Sequence, residues 1–402
     1  MQTNTDKQKI HEVLTRGVEE IYPTLEALEK RLQAGERLRL YLGIDPTAPT
    51  LHIGHALQLR KLAEFQALGH EVILLLGSFT AMIGDPTDKG AVRKQLTQRE
   101  VLTNAASYKA QAAKILDFTG RNRAKLMFNH KWLRKMSFSD VIDLASHFTV
   151  QQMSERDMFD RRFKEGKPVY LHEFMYPLMQ GYDSVAMDVD MEIGGSDQTF
   201  NMLAGRTLMR TMKQKEKIVL TTKLLTNDEG KKMSKSEGGV IALNDTPNDM
   251  FGKIMSMEDS MILPYFELAT SVPLEEVAGL RVQLEQGVNP RDVKARLART
   301  IVAIYHGEDE AREAEGQFAR VFQQNELPSN MDEVRLNTAS NIVDVLLNTK
   351  LVQSKSEARR LIEQKAIKVD GVVVQTMDLD LVGKPDGVVL QRGKRQFIKL
   401  VS

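Results

Sequence analysis

An alternation of apolar runs with helix-patterned stretches near the start of the chain limits the fold more than any other feature. Residues Arg39–Ile44 and Val72–Leu76 have the short apolar composition of buried strands, and Ile53–Gly69 between them has helical spacing and ends on a glycine. Buried strands joined by a helix are typical of a parallel sheet with both faces covered. We therefore predict an α/β fold with a doubly wound, Rossmann-like parallel sheet, in which residues 184–193 and 217–220 supply later strands.

The rest of the chain divides into further modules. The sheet domain is predicted at residues 1–245, with a mostly helical insertion at about 99–183. A helical domain over 246–325 begins with Thr246 as N-cap and Pro247 in the first turn, and a polar, proline-containing linker follows at 326–339. Residues 340–402 are predicted to form a small α+β domain, with Ser354 and Glu357 opening a helix and Asp370-Gly371 turning a hairpin.

Composition removes several classes of protein. The 402 residues include no cysteine, which excludes thiolate zinc sites, disulfides and cysteine nucleophiles. No uncharged apolar run approaches the roughly 20 residues that span a bilayer, and the polar N-terminus lacks a signal-peptide pattern, so we expect a cytoplasmic protein without a membrane segment. The net charge is +1 overall but +4 over residues 340–402, so this segment could attract phosphate, although a solvated basic face without a partner is the commoner meaning of so small an excess.

The most informative motif runs from Asp45 to His55, where the first predicted strand gives way to a helix. His52 and His55 are three residues apart and therefore lie on one face of the first helical turn, and Gly54 between them permits close approach of a flat ligand. The free N–H groups of a helix N-terminus also favour phosphate. The motif suits the triphosphate and adenine of ATP, while a metal site is disfavoured because no third ligand is evident.

A second motif, Lys232-Met233-Ser234-Lys235-Ser236, lies in a stretch rich in glycine, serine and charge, which is typical of a loop. Two lysines on such a loop can neutralise charge that peaks in the transition state of a phosphate transfer. Alone, a lysine-rich loop is usually only solvated surface. Its position after the last predicted strand, with the histidine pair after the first, makes a coincidence of the two motifs improbable.

The two motifs match the signatures of class I aminoacyl-tRNA synthetases, and the whole chain resembles the bacterial tyrosyl-tRNA synthetases. Tyr176 to Asp183 is similar to that family's tyrosine-binding helix, Gly194 to Gln198 to its ribose-binding turn, and residues 340–402 to its αL-type RNA-binding domain. The resemblance implies that residues 1–245 are catalytic and that tyrosine is joined to tRNA(Tyr) in two steps through tyrosyl-adenylate, with release of diphosphate and AMP. It also implies ATP as substrate with magnesium on the triphosphate, no structural metal in the protein, and a homodimer with an interface near residues 132–153.

The resemblance further implies a role for each matching residue. Its tyrosine-binding set is Tyr41, Thr80, Asp85, Tyr176, Gln180, Asp183 and Gln198; its ATP-binding set is Asp45, His52, Gly54, His55, Gly195, Asp197 and Lys235; its catalytic set is Thr47, His52, His55, Lys232, Lys235, Lys89 and Arg93. The candidate RNA-binding residues are Lys355, Arg359, Arg360, Lys365 and Lys368.

The spacing of the tyrosine-binding helix can be checked without the resemblance. Tyr176, Gln180 and Asp183 stand at i, i+4 and i+7 and so share one helical face, where polar groups can line a pocket. A pocket with buried groups that require a hydroxyl rejects phenylalanine because those groups would be left unpaired. An ordinary amphipathic face with satisfied polar groups is the competing interpretation of this helix alone.

Three alternative functions fit part of the sequence. A tryptophanyl-tRNA synthetase has a similar catalytic fold but should need an acceptor for an indole N–H and normally lacks the RNA-binding tail. A nucleotidylyltransferase shares the histidine-glycine-histidine arrangement but has no need of two RNA-facing modules. A catalytically silent RNA-binding regulator would not be expected to keep both signatures intact.

Overall fold

The computed structural model describes residues 2–85, 96–226, 240–323, 331–393 and 396–402. The chain forms two compact units, Met1–Glu308 and Asp309–Ser402. The boundary predicted after residue 245 falls inside the first unit, and the division into a sheet domain and a helical domain stays a prediction. Among the described residues, none of the helices combines the length and the apolarity that crossing a bilayer requires.

A six-stranded sheet forms the centre of the first unit. Its strands are β1 (Val18–Tyr22), β2 (Arg39–Ile44), β3 (Glu71–Leu76), β4 (Lys125–Phe128), β5 (Met191–Gly195) and β6 (Ile218–Thr222). Their order is β1-β6-β5-β2-β3-β4, and every neighbouring pair is parallel except β1 with β6. The predicted doubly wound parallel sheet is confirmed. It has an additional antiparallel edge strand, β1, which was not predicted because its sequence mixes charged and apolar residues.

Sixteen helices of the first unit are described. They are α1 (Lys7–Thr15), α2 (Leu25–Gln33), α3 (Ile53–Ala67), α4 (Thr80–Ile83), α5 (Gln98–Ala105), α6 (Tyr108–Ala112), α7 (His130–Leu133), α8 (Phe138–Ser146), α9 (Val150–Ser154), α10 (Asp157–Lys164), α11 (Leu171–Met187), α12 (Thr199–Lys213), α13 (Pro247–Met255), α14 (Ile262–Ala269), α15 (Leu274–Glu285) and α16 (Pro290–His306). Helix α3 has the predicted bounds to within two residues and is followed by Gly69 at φ +94°. Thr246 accepts the amide of Asp249 as the predicted N-cap of α13.

The strand predicted at residues 184–193 is wrong over its first half. Helix α11 continues to Met187 and ends where Asp188 adopts a left-handed conformation at φ 49°, and β5 begins only at Met191. A continuous apolar run does not distinguish a buried helix from a buried strand. The insertion at 99–183 is mostly helical as predicted, but it also contains β4, which is too short at four residues to show a periodic pattern.

The second unit is a small α+β module. Its elements are α17 (Glu308–Gln323), β7 (Asp332–Arg335), β8 (Ser340–Asn341), α18 (Ile342–Asn348), α19 (Lys355–Glu363), β9 (Ile367–Val369), β10 (Val372–Val373), β11 (Asp380–Leu381), β12 (Val388–Arg392) and β13 (Gln396–Val401). The sheet order is β10-β9-β12-β13-β7, so part of the predicted linker at 326–339 is a strand, β7, paired with β13. The hairpin turns at Asp370 and Gly371, both at positive φ, as the Asp-Gly signal predicts.

Candidate active site

The polar residues of the candidate site gather at the carboxyl ends of the parallel strands. Asp45 follows β2, Thr80 and Asp85 follow β3, and Gly195 closes β5 just before Asp197. This edge is where open α/β sheets bind ligands, because the loops that leave the strands converge there. The structure thus assembles in one region groups that lie up to 152 residues apart in the sequence.

The two histidines form a fixed, neutral pair at the N-terminus of α3. Nδ1 of His52 accepts the amide of Gly54, Nδ1 of His55 accepts the amide of His52, both at 3.1 Å, and the ring centroids are 3.9 Å apart. Burial lowers the pKa of His52 to about 4, and burial and the neighbouring His52 hold the pKa of His55 well below its usual value. Because an amide N–H only donates, each neutral ring carries its proton on Nε2, which leaves two N–H donors for an anionic ligand.

Asp45 joins the residues predicted for ATP to those predicted for tyrosine. Its Oδ1 accepts from the Thr80 hydroxyl at 2.7 Å and its Oδ2 from the Tyr176 hydroxyl at 2.8 Å. A Cβ at Gly77 would lie 1.8 Å from Asp45 Oδ1, so only glycine leaves room for this carboxylate. Burial, followed by the charges of Asp45 and Asp85, holds the pKa of Tyr176 well above its usual value, so Tyr176 donates its proton to Asp45.

Asp183 lies at the base of the site and is only 2% exposed. It accepts from Trp132 Nε1 at 2.7 Å and from Asn129 Nδ2 at 3.2 Å. Burial raises the pKa of Asp183 well above its usual value, whereas these two donors act in the opposite direction. The Asn129 amide cannot turn round, because its oxygen accepts the amide of Phe79 at 2.8 Å while its nitrogen also donates to Thr80.

Tyr41 is completely buried beside this group and its hydroxyl lies 3.0 Å from Ser184 Oγ. Burial, together with the charges of Glu192 and Asp183, raises the pKa of Tyr41 well above its usual value. Tyr41 and Asp183, predicted to act together, are therefore brought together by the fold. Gln180, on the same helix as Asp183, donates its amide to Glu192 at 3.0 Å.

Asp85 forms a second polar group, next to β5. Its Oδ2 accepts from Gln198 Nε2 at 2.7 Å and its Oδ1 from Arg156 at 3.0 Å, and Asn201 lies 3.4 Å away. Gln198 and Asp85, both predicted for tyrosine, are in direct contact. Arg156 is 6% exposed, so the carboxylate that faces the site is partly neutralised by a buried cation.

Two of the predicted site glycines lie directly against polar side chains of the protein. A Cβ at Gly195 would lie 2.4 Å from Asp197 Oδ1 and 2.9 Å from Gln58 Nε2. A Cβ at Gly54 would lie 3.0 Å from the His52 ring. At both positions a side chain would crowd these polar groups, so glycine allows them to approach the backbone closely. Thr47 is exposed in the turn after Asp45.

Four of the predicted catalytic residues, Lys89, Arg93, Lys232 and Lys235, lie outside the described residues. The chain that follows the second of these segments is described, and it pairs with the histidine motif. Leu243 donates its amide to the Leu51 carbonyl at 2.9 Å, Ile53 donates to Ile241 at 3.0 Å, and His52 forms a bridge with Ala242. Residue 240 therefore stands close to the imidazole pair.

Several residues of the site were missed by the sequence analysis: Asn129, Trp132, Arg156, Ser184, Glu192, Asn201 and Lys217. Asn129 directly follows β4, so detecting that strand would have placed Asn129 at the ligand-binding edge of the sheet. Trp132, at the edge of the predicted dimer interface, donates to Asp183 instead of pointing away from the site. No local pattern marks the remaining residues.

In the second unit, the candidate RNA-binding residues form what we term the basic face: Lys355, Arg359 and Arg360 on α19, Lys365 after it, and Lys368 on β9. Four are exposed and Lys368 is half-buried. Ser354 caps α19 by accepting the amide of Glu357, and Glu357 in turn accepts the amide of Gln353. The cap and a buried core of 15 residues beneath it hold this face in place.

Comparison with known proteins agrees with this geometry. The family described as tRNA synthetases class I (W and Y) matches residues 33–323, which defines the class of the fold and its site. The family described as tyrosine--tRNA ligase SYY-like C-terminal domain matches residues 323–400. The chain belongs to the tyrosine--tRNA ligases of that class, which form tyrosyl-tRNA through an aminoacyl-adenylate. The predicted resemblance is confirmed, and the tryptophan alternative is set aside because the curated relatives are tyrosine enzymes.

Two bacterial relatives show the extent of the similarity. The chain is 47% identical to the tyrosine--tRNA ligase of Carboxydothermus hydrogenoformans, over 97% of each chain. It is 46% identical to that of Thermotoga maritima, over 96% of each chain. Among solved structures, a C-terminally truncated mitochondrial tyrosyl-tRNA synthetase of Aspergillus nidulans superposes with a TM-score of 0.67 at 26% identity, covering 78% of this chain and 94% of that one. The Archaeoglobus fulgidus enzyme complexed with L-tyrosine shares the fold at a TM-score of 0.59 and 23% identity, covering 77% of this chain and 100% of that one.

Proposed function

We propose that the buried group around Tyr41 and Asp183 holds the phenol hydroxyl of tyrosine in an enzyme that charges tRNA(Tyr). The observation that carries this assignment is a carboxylate, Asp183, buried at the base of the site next to a buried phenol, Tyr41. A substrate hydroxyl can donate to the first and hydrogen-bond with the second. A substrate without a hydroxyl removes one hydrogen-bond partner from each of these buried groups in a site closed to water, which is costly.

The α-ammonium of tyrosine belongs at the opposite end of the pocket. Tyr176, Gln180 and Asp85 supply oxygen atoms there. Two carboxylates are held in place by hydrogen bonds: Thr80 and Tyr176 donate to Asp45, and Gln198 donates to Asp85. Two carboxylates and the amide oxygen of the half-buried Gln180 suit a cationic group in a low-dielectric site. The Asp85–Arg156 contact is the competing ion pair that an ammonium group would have to share or displace.

ATP fits along the sheet edge from the glycine turn of β5 to the N-terminus of α3. Gly195 and Asp197 suit the ribose, and the Nε2–H groups of His52 and His55 suit phosphate oxygens that gain charge. Gly54 lies in the first turn of α3, Asp45 directly follows β2, and Thr47 lies in the turn after Asp45. The pairing of residues 241–243 with 51–53 supports the proposal that Lys232 and Lys235 approach the same triphosphate, since their segment ends next to the histidines.

The chemistry follows from this arrangement. The carboxylate of tyrosine attacks the α-phosphorus of ATP, the bond to the bridging oxygen breaks, and diphosphate leaves with tyrosyl-adenylate remaining. A ribose hydroxyl of the terminal tRNA nucleotide then takes the tyrosyl group and releases AMP. His52, Thr47, Lys232 and Lys235 stabilise the charge of the pentavalent state, Lys89 and Arg93 act on the departing diphosphate, and magnesium enters with the triphosphate as part of the substrate. Holding two reactants in line removes about 7–11 kcal/mol of barrier, so no covalent enzyme intermediate is needed.

The basic face of the second unit provides a surface for the RNA phosphates. Four of its five cations are exposed, and an exposed cation gains affinity mainly by releasing counterions from the phosphate backbone. We assign the helices of residues 246–325 to tRNA contact as well, and the reaction to the cytoplasm.

A homodimer through the insertion completes the proposal. Phe138, Val150 and Leu171 are 80%, 75% and 84% exposed, and Ile142 is 56% exposed. Large apolar side chains left exposed in a single chain are a reason to expect an interface. Replacing Phe138 and Val150 by Asp should lower the mass measured by sedimentation equilibrium to that of one chain, and an unchanged mass would refute this interface.

Amino-acid-dependent exchange of labelled diphosphate into ATP tests the function directly, because it needs neither tRNA nor the second unit. At the same concentration we expect exchange with tyrosine, far slower exchange with phenylalanine, and none above background with tryptophan. Exchange with tryptophan would overturn the assignment of Asp183 and Tyr41. Absence of exchange with all three amino acids, in a protein that binds tRNA, would favour the silent RNA-binding regulator.

A further inference from the structure

A buried ion pair lies behind the pocket, with no role in the proposed function. Lys217, immediately before β6, is 0% exposed, and Glu192, on β5, is 2% exposed. Together with Ser184 of α11 they form what we term the ion-pair cluster. None of its three residues is proposed to contact tyrosine. The cluster nevertheless hydrogen-bonds to one proposed binding residue at each end of the pocket, Gln180 and Tyr41.

The Lys217 ammonium has all three protons engaged. They are donated to the Glu192 carboxylate, to Ser184 Oγ at 2.8 Å and to the Met202 carbonyl at 3.1 Å. Space for it depends on a glycine of α12, because a Cβ at Gly205 would lie 2.5 Å from Lys217 Nζ and 3.0 Å from Ser184 Oγ. The ammonium is therefore held at one position by three oxygens.

The first link runs to the ammonium end of the pocket. Glu192 Oε1 accepts from Gln180 Nε2 at 3.0 Å, while Glu192 Oε2 faces Lys217. A carboxylate paired with a lysine only accepts, so the NH₂ group of Gln180 must face Glu192. The amide oxygen of Gln180 is thereby turned away from Glu192 and left to accept from a ligand ammonium.

The second link runs to the hydroxyl end. An ammonium only donates, so Ser184 Oγ accepts from Lys217, and its remaining proton and lone pair face Tyr41 at 3.0 Å. A hydroxyl that accepts from a cation becomes a better donor, because neighbouring hydrogen bonds polarise one another. Ser184 then donates to the Tyr41 oxygen, and Glu192 also hydrogen-bonds to the Tyr41 hydroxyl, so the ion-pair cluster fixes the direction of that hydroxyl. The proton of a substrate phenol is then accepted by Asp183.

Stability alone does not account for this arrangement. Removing two charges from water is costly, and replacing a buried pair with apolar residues of similar volume is often neutral or stabilising. Burial also lowers the pKa of Lys217, although Glu192 acts against this effect. An apolar pair would fill the same space but could not fix the direction of the Gln180 amide or of the Ser184 hydroxyl.

We infer that Lys217 and Glu192 are positioning residues for tyrosine, which orient the Gln180 amide at one end of the pocket and the Ser184–Tyr41 hydroxyl pair at the other. This inference rests on the proposed tyrosine pocket. It assigns to the ion-pair cluster a part of the affinity for tyrosine and a part of the selection against phenylalanine, without contact with ATP.

The decisive variant is the double substitution Lys217→Met with Glu192→Met, which removes both charges and leaves no buried ion unpaired. In diphosphate exchange we expect KM for tyrosine to rise about tenfold or more and the tyrosine-to-phenylalanine ratio of kcat/KM to fall about tenfold, as loss of a hydrogen bond that involves a charged group predicts. KM for ATP should stay within about twofold. A folded double variant with an unchanged KM for tyrosine and an unchanged ratio would overturn the inference.

Ser184→Ala separates the two links and decides the matter if the double variant does not fold. It should lower the tyrosine-to-phenylalanine ratio of kcat/KM and leave KM for phenylalanine unchanged, because only the hydroxyl end is affected; an unchanged ratio would refute the second link.

Lys215→Met is the matched control, since Lys215 stands two residues away and pairs with Asp190 at 2.9 Å on a more exposed surface. An Asp183→Asn variant in the same assay tests the pocket itself. If Asp183→Asn alters selection and the cluster variants do not, the positioning role fails while the pocket stands.

Discussion

The proposed tyrosine pocket and the basic face both serve ligands that carry charge, but they present opposite arrangements of polar groups. In the pocket, Asp183 and Tyr41 are almost wholly removed from solvent, and they hydrogen-bond to other protein groups. On the basic face, Arg359 and Arg360 stand in solvent on the outer side of α19. The pocket is a network of hydrogen bonds with fixed directions, and the basic face is a set of exposed positive charges.

The difference reflects what each ligand requires. Selecting one amino acid from others of nearly equal size needs buried groups that lose a partner when the wrong ligand enters, and the penalty is large because water cannot replace that partner. Holding a long polyanion needs only charge of the right sign at the surface, since each phosphate contact contributes through counterion release. Substitutions should therefore act steeply in the pocket and gradually on the basic face.

Asp183→Asn should have the largest effect. An amide places an NH₂ group against one of two donors, Trp132 Nε1 or Asn129 Nδ2, which now face Asp183 oxygens at 2.7 and 3.2 Å. We expect kcat/KM for tyrosine in diphosphate exchange to fall by at least about a hundredfold, the scale for breaking a buried hydrogen-bonded charge network. Exchange with phenylalanine should change far less, so the selectivity collapses.

Glu173→Gln is the matched control for that substitution. Glu173 lies on the same helix, α11, and is similarly buried, but its carboxylate pairs with Arg162 and accepts the amide of Tyr170, and neither of these residues belongs to the pocket. The substitution should lower the melting temperature without altering the tyrosine-to-phenylalanine ratio. Equal losses of selectivity in the two variants would mean that helix α11 as a whole, and not the Asp183 carboxylate, selects the substrate.

The comparison also separates what the sequence could predict from what it could not. Asp183, Gln180 and Tyr176 were predictable because a helix places residues at i, i+4 and i+7 on one face, a rule that holds whatever the helix packs against. Asp45 and Thr80 were predictable because they follow strands of a parallel sheet. The same rule failed at Asn129 only because β4, at four residues, has no detectable pattern.

Lys217 and Glu192 could not be predicted in the same way. They lie 25 residues apart, Glu192 on β5 and Lys217 immediately before β6, and they meet only because these strands pair with Met191 opposite Ile218. A lysine in the sequence is expected at the surface, and nothing local shows that this one is enclosed. The prediction of the boundary between α11 and β5 was wrong for a related reason. A continuous apolar run indicates burial, but it lacks the repeat of apolar and polar residues that distinguishes a helix from a strand.

The basic face should respond with an intermediate effect. Replacing Arg359 and Arg360 together by Gln is expected to lower kcat/KM for tRNA charging about tenfold at moderate salt and to reduce the slope of log affinity against log salt by up to about two, one for each phosphate that is no longer neutralised. Diphosphate exchange should not change. Lys7→Gln with Lys9→Gln removes the same charge from the exposed surface of α1 and should leave charging unaltered. A salt slope equal to that of the parent chain would show that these arginines do not meet phosphates.

The smallest effect is expected at the histidine pair, where a change of pH replaces a substitution. His52 and His55 are only partly buried, between the extremes of the pocket and the basic face, but their pKa values are those of buried groups. Since the pKa of His52 is lowered to about 4 and that of His55 is held well below its usual value, both imidazoles should stay neutral from pH 8 down to about 5. The folded state then binds fewer protons than the unfolded chain, so their contribution to stability is intact above about pH 6.5 and is lost as the pH falls towards 4.

Nitrogen-15 NMR of the imidazoles, assigned with His52→Asn, should show the Nε2–H tautomer and no titration near pH 6.5. A midpoint near 6.5 would mean that the imidazoles titrate as solvated groups, and the distinction between fixed hydrogen-bond donors and simple charges would not extend to the triphosphate.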